Sequence, residues 1–193
     1  MTDSGKANDL LAHIPGGKGL PPVHLWNPAF CGDIDMRIAR DGTWYYLGSP
    51  IGRKPMVKLF SSILRRDGDD YFLVTPVEKV GIQVDDAPFV AVLLQVEGEG
   101  EQQRLRFTSN VEDDIEAGPE HPLWVTVDPL TDTPAPYLSV RGNLHALINR
   151  SVFYQLVELA VSRLVEGQER LGVWSHGEFY PIDGSSPQQS TAD

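Results

Sequence analysis

Residues 51–64, IGRKPMVKLFSSIL, and residues 148–161, INRSVFYQLVELAV, decide the fold when one is laid over the other. Ile51 falls on Ile148, Arg53 on Arg150, Lys54 on Ser151 and Leu59 on Leu156. Any two amphipathic helices share apolar spacing, so the leucine match alone carries little. The arginine ahead of each apolar stripe is the part that periodicity does not dictate. In the first segment Met56, Leu59, Phe60 and Ile63 recur at helical spacing, and Pro55 suits a first helical position. In SVFYQLVELAVSRLVEG the stripe is Phe153, Leu156, Val157, Ala160, Val161 and Leu164, with Ser151 as N-cap and Gly167 as terminator. Each predicted helix follows a strand pair and precedes a further hairpin, and that shared order reads as an internal duplication.

Working outward, IDMRIAR sets Ile34, Met36 and Ile38 against Asp35 and Arg37, the period of a half-buried strand. The turn pair Asp41-Gly42 leads from it into WYYLG, which completes a hairpin. Further strands are predicted at YFLVTP, EKVGIQV, FVAVLLQV and RLRFTS, the last two joined by EGEGEQQ. After the acidic stretch VEDDIEAGPEHP a new set begins: LWVTV, PYLSVRG, LHALI, GVWS and EFYPI. The expected fold class is α+β, with two duplicated modules, each mostly antiparallel strands with one main helix. The expected organisation is an N-terminal arm and linker over 1–25, a first module over 26–110, a second over 111–183, and a disordered polar tail over 184–193.

The chain has 193 residues, of which 41% are hydrophobic and 22% charged, enough for a substantial core. Its formal net charge of -11 repels a phosphate backbone, and basic residues gather only between Arg53 and Arg66, so no nucleic-acid partner is expected. The single cysteine, Cys31, leaves no internal disulfide, and its default reading is a small buried residue. No apolar run reaches membrane-spanning length, and MTDSGKANDLLAHIPGGKG lacks the layout of a secretory signal. The expectation is a soluble cytoplasmic protein with no membrane partner.

An arginine beside the positive end of a helix dipole is disfavoured by a few tenths to about 1 kcal/mol. Arg53 and Arg150 therefore call for an anion. It is either an internal carboxylate, with Glu78 and Asp35 as candidates, or an external phosphate or carboxylate. Arg65 and Arg66 are placed in the last turn of the first helix, where cations complement the dipole, and Lys58 lies off the apolar stripe. VRGNLHALINR brings Arg141, Asn143, His145 and Arg150 within one short run. It reads either as a cationic, amide-bearing rim or as a strand end bonded to neighbouring backbone. Glu78 and Lys79 read either as a cross-strand pair or as an orienting group for Arg53. Tyr154 and Trp174 are the candidate stacking surfaces for a base.

The enzyme templates are poorly met. GGKG lacks the spacing of a phosphate-binding loop, no GxGxxG follows a strand, and GxSxG is missing. In WSHG, Ser175 and His176 are adjacent and read as a turn rather than a dyad. The five histidines have no metal-ligand spacing. Asp33 and Asp35 in CGDID share a strand face and are the candidate pair for a hard cation, against the commoner strand-end role.

The runs CGDIDMRIARDGTWYYLGSPIGRKPMVKLFSSILRRDGDDYFLVTPVEKVGIQVDDAPF, YLSVRGNLHALINRSVFYQLVELA and GVWSHGEFYPI resemble the bacterial family called domain of unknown function 1285, over Trp26 to Asp183. The resemblance implies a domain-duplicated α+β fold, a second module like a pleckstrin-homology barrel, a nucleotide-like ligand in the cleft between modules, and a role in signalling. It brings no residue-level site. The resulting expectation is a non-enzymatic regulatory protein that binds a small anionic ligand, nucleotides among the candidates, and needs no cofactor. Arg53 and Arg150 are its clamps, Arg141 and Asn143 its rim, and Tyr154 and Trp174 its stacking surfaces. The competitors are a magnesium-dependent enzyme acting on a phosphorylated substrate through Asp33 and Asp35, and an adaptor that uses an exposed strand edge. Oligomeric state is not legible.

Overall fold

A computed structural model describes residues 4–184, and the chain divides into two units, Met1–Pro88 and Phe89–Asp193. The first contains α1 (Ser4–Ala12), a 3-10 turn (Val23–Leu25), β1 (Phe30–Ile38), β2 (Trp44–Tyr46), β3 (Ser49–Pro50), α2 (Lys54–Ser62), β4 (Leu64–Asp67), β5 (Asp70–Val74) and β6 (Lys79–Val84). Its six strands form one sheet in the order β3-β2-β1-β6-β5-β4, antiparallel except where β1 and β6 run parallel. The alternation in β1 buries Ile34, Met36 and Ile38 as expected. Asp41 accepts from the Thr43 backbone N–H in the following turn, and Trp44 then stacks on Phe60 of α2 at 6.2 Å. Around that pair Ile63, Leu64, Leu73 and Val74 are fully buried.

Within the expected arm, among the described residues, α1 buries Ala7 and Leu10, and the Arg65 guanidinium donates to the Val23 carbonyl and, just beyond it, to that of Trp26. One expectation fails in this unit: Arg65 and Arg66 are not helical. Helix α2 stops at Ser62 because the turn around Gly68, whose φ is +61°, aligns Leu64–Asp67 opposite Asp70–Leu73 and draws it into the sheet.

The second unit contains β7 (Phe89–Glu97), β8 (Arg104–Ser109), β9 (Asp114–Glu116), β10 (Leu123–Val127), β11 (Pro134–Arg141), β12 (Leu144–Ile148), α3 (Arg150–Leu159), β13 (Val161–Val165), β14 (Gln168–Ser175) and β15 (Glu178–Pro181). Six strands form a sheet in the order β10-β11-β12-β7-β8-β9, with β12 and β7 parallel, and β13-β14-β15 form a separate meander. The boundary therefore lies at 88/89 rather than 110/111: β7 and β8 belong to the sheet of β12, and no strand is shared across residue 88. The tail expected at 184–193 lies, except for Gly184, outside the described residues.

Helix α3 is shorter than its apolar period suggests. It ends at Leu159, Ala160 is already extended, and the remaining stripe residues Val161 and Leu164 belong to β13. Gly167, with Glu166, makes the β13–β14 turn instead of terminating a helix, and both adopt positive φ. Asn149, not Ser151, is the N-cap: its side chain accepts from the Val152 N–H at 2.9 Å.

The repeat is visible in element order. In the first unit the meander β1-β2-β3 precedes α2 and the meander β4-β5-β6; in the second, β10-β11-β12 precedes α3 and β13-β14-β15. The copies diverge in pairing: in the first unit the first strand of the leading meander, β1, joins β6 in parallel, whereas in the second its last strand, β12, joins β7 in parallel. Among the described residues no helix is long and apolar enough to cross a membrane.

Candidate functional site

Arg53 occupies the N-cap position of α2 with an extended backbone and makes no side-chain cap bond. Its side chain and that of Lys54 are exposed, and among the described residues neither has an ion-pair partner. Glu78 does not serve it: that carboxylate faces His13 at 4.0 Å. Lys79 is no partner of Glu78 either, since its ammonium binds Asp67 at 2.8 Å and lies 4.1 Å from the Phe72 ring centroid. Pro55 removes one of the open amides at the start of α2, so the feature there is a pair of cations rather than a nest of N–H groups.

Arg150 is the first residue of α3, exposed, and likewise without an ion-pair partner among the described residues. One helical turn on, Tyr154 is 58% exposed, and residues four apart lie on the same helix face. Asn149 and Ser151 are engaged with each other, the Ser151 hydroxyl donating to Asn149 Oδ1 at 3.0 Å. A cation and an aromatic ring thus stand together on one exposed face at a helix start.

The remaining sequence candidates have other employment. Arg141 is half-buried, 3.4 Å from Asp113 and 5.0 Å from the Phe89 ring centroid. Burial pulls its pKa down and the Asp113 charge opposes that pull, the signature of an internal ion pair rather than a rim contact. Asn143 follows Gly142, φ +52°, in the two-residue turn between β11 and β12, an exposed turn position. In β12 Leu144, Ala146 and Ile148 are buried, while His145 lies on the other face among the rings of Trp124 and Tyr137. Trp174 does not offer a bare face to a base, because the Arg163 guanidinium covers its ring at 4.6 Å.

Asp33 and Asp35 do share an exposed face of β1, with the Asp33 carboxylate lying over Gly81, which has no side chain. Among the described residues no group of three or more His, Cys, Asp or Glu side chains is placed to hold a metal ion. Cys31 is exposed, contrary to its buried reading, and its thiol donates to the Ala29 carbonyl.

In WSHG, Trp174 and Ser175 close β14 and His176-Gly177 form the two-residue turn into β15, with His176 at φ +52°. The segment works as a clasp. Ser175 Oγ accepts from the Leu105 N–H and donates to the Ala117 carbonyl, Gln103 donates to the Trp174 carbonyl, and His176 Nε2 bonds Glu116. Desolvation alone would raise the Glu116 pKa, but the His176 hydrogen bond and the charges of His176, Arg104 and Arg106 hold it below the usual range.

Two family models match the chain end to end over residues 21–182: the N-terminal domain of the domain of unknown function DUF1285 matches residues 21–87, and the C-terminal domain of the protein of unknown function DUF1285 matches 88–182. The chain belongs to the DUF1285 family. The division between the two DUF1285 models falls within a residue of the division seen in the structure. A crystal structure of a DUF1285 family protein from Silicibacter pomeroyi DSS-3 is 52% identical, covers 94% of each chain and superposes with a TM-score of 0.82. One from Shewanella baltica OS155 is 28% identical, covers 64% of this chain and 90% of its own, and gives a TM-score of 0.50. Among curated proteins no relative matches.

Sequence reasoning missed Arg163 in this DUF1285 chain. It was assigned to a helix, and its contacts with Trp174 and Phe179 arise only once residues 161–165 form a strand. The Glu166-Gly167 pair between two apolar runs was the hairpin signal that could have found it.

Proposed function

We propose that this DUF1285 protein is a non-catalytic regulatory protein that binds small anionic ligands through guanidinium groups at the starts of α2 and α3. The observation that carries the reading is the contrast among its arginines. Arg37, Arg65, Arg141 and Arg170 are engaged by Asp85, Asp67, Asp113 and Asp183, whereas Arg53 and Arg150, at matching places in the repeat, have no carboxylate partner among the described residues. In a chain of net charge -11 such cations are natural points for a phosphate or carboxylate. At α3, Arg150 and Tyr154 together suit a ligand that joins an anionic group to a planar ring, and nucleotides fit that description. A pleckstrin-homology-like second module belongs to the same reading, supported by its six-stranded sheet and the packing of α3 on β7. A signalling role and a cytoplasmic location are also part of it; a lone exposed thiol such as Cys31 suits a reducing compartment. Titration with AMP and with inorganic phosphate, followed by thermal unfolding of the wild type and of Arg53→Ala and Arg150→Ala, tests it.

A further inference from the structure

Strand β13, VSRLV, is the open edge of the three-stranded meander. Val165 and Gln168 flank the two-residue turn Glu166-Gly167, and from that pair the register runs to Val161↔Gly172 without a shift. The pair flanking such a turn is hydrogen-bonded, so Val161, Arg163 and Val165 bond β14 while Ser162 and Leu164 turn their N–H and C=O groups outward. Natural edges are commonly blunted by proline, lysine or a bulge, and β13 has none of these. Residues 161–164 are exposed, Leu164 to 71%, and Leu171, paired with Ser162, is exposed beside them.

The one charge within β13 does not bar this edge. The Arg163 guanidinium lies 4.6 Å from the ring centroid of Trp174, on β14, and 5.7 Å from that of Phe179, on β15, so it leans inward across the meander and away from the open side. Arg170, opposite it on β14, is neutralised by the Asp183 carboxylate, which receives both its Nε and its Nη2. What rims the edge is acidic. Glu158 lies in the last turn of α3 just ahead of β13, Glu166 in the turn just after it, and Glu169 on β14 opposite Leu164. Glu169 accepts from the Ser162 hydroxyl at 2.6 Å, and none of the three exposed glutamates has a cation partner among the described residues.

We infer that β13 accepts an extended segment of a partner protein as a fourth strand of the meander, apolar at its centre and basic at both ends. Backbone pairing with Ser162 and Leu164 supplies the attachment, the Leu164 side chain packs against the apolar centre, and the glutamates at the two ends of the strand select basic over acidic sequences. A second copy of this chain fits less well. Antiparallel two-fold pairing of β13 with itself brings the Glu166 end of one copy beside the Glu158 end of the other, acid against acid.

The probe is a fluorescein-labelled octapeptide, Lys-Lys-Thr-Val-Thr-Val-Lys-Lys, mixed with the full chain and followed by anisotropy, with Glu in place of every Lys as the control. Saturable binding of the basic peptide alone is expected, weakened at least about tenfold when Glu158→Gln and Glu166→Gln are combined, and weakened by added salt. Leu164→Pro removes an outward N–H that β14 does not use, and abolishes binding. Hydrogen exchange of the complex slows at the Ser162 and Leu164 amides, a readout that stands even where Leu164→Pro fails to fold. Equal binding of the acidic peptide, no saturation by the basic one up to about 1 mM, protection confined to other segments, or undiminished binding by the double glutamine variant overturns the inference. So does protection of Ser162 and Leu164 that grows with protein concentration in the absence of peptide, which makes the occupant a second copy. Arg53→Ala and Arg150→Ala leave peptide binding unchanged, so this test succeeds or fails apart from the small-anion reading.

Discussion

The Arg65 guanidinium donates to the Asp67 carboxylate at 2.9 Å, and Lys79 donates to the same oxygen at 2.8 Å. This arrangement accounts for the C-terminal half of the basic run 53–66 without any ligand. The hydrogen bond from Arg65 is the leading cause of an Asp67 pKa below its ordinary 3.8, with Lys79 adding to it. A depressed carboxylate pKa contributes stability that is fully present above the unfolded value and is lost as pH falls through the folded value. Asp67→Asn should therefore lower stability at pH 7 and leave a smaller difference from wild type near pH 3, as urea unfolding at the two values would show. An equal difference at both would assign the effect to packing.

Ser175 is fully buried and its hydroxyl makes two backbone hydrogen bonds. Ser175→Ala leaves the Leu105 N–H and the Ala117 carbonyl without those partners in an interior that water does not reach. A loss of about 1–3 kcal/mol is expected in denaturant unfolding, without a change in α-helical circular dichroism.

Gly172 faces β15 so closely that a Cβ would lie 2.5 Å from the Tyr180 carbonyl oxygen and 2.6 Å from the Phe179 ring. The carbonyl belongs to the sheet and cannot swing aside. Gly172→Ala should cost about 1–3 kcal/mol, whereas Gly167→Asn, in an exposed turn at positive φ, should cost much less. Melting curves of the two variants give the comparison.

Asn149 caps α3, so Asn149→Ala should cost about 1 kcal/mol and Asn149→Ser much less. Arg150→Ala, one residue later and exposed, should change stability by no more than about 0.5 kcal/mol. A larger loss at Arg150 would mean that its charge is engaged within the fold.

Strands with strict alternation were legible because the period is enforced by burial of one face: Ile34, Met36 and Ile38 are buried, and so are Leu144, Ala146 and Ile148. β13 was not, since Val157, Val161 and Leu164 continue a helical period by coincidence and a glycine after them also suits a helix end. The division at residue 88 was hidden for a related reason. The acidic stretch after Asn110 looks like a linker but forms the β8–β9 turn and β9 itself, while the turn cluster Asp85-Asp86-Ala87-Pro88 carries the break. At the candidate site the arginines of the repeat were readable from their positions. The engagement of Arg141 and the covering of Trp174 were not, because both depend on residues distant in sequence, Asp113 and Arg163.

Thermal unfolding with increasing AMP and inorganic phosphate is the most direct measurement. The account predicts a midpoint that climbs with ligand concentration, by roughly 5–10 °C at a hundredfold excess over Kd. It further predicts that the climb is reduced in Arg53→Ala and Arg150→Ala and abolished when both are changed, with the ligand-free midpoint nearly unmoved. A flat midpoint in the wild type up to about 10 mM of either anion, or an undiminished climb in the double variant, would contradict it.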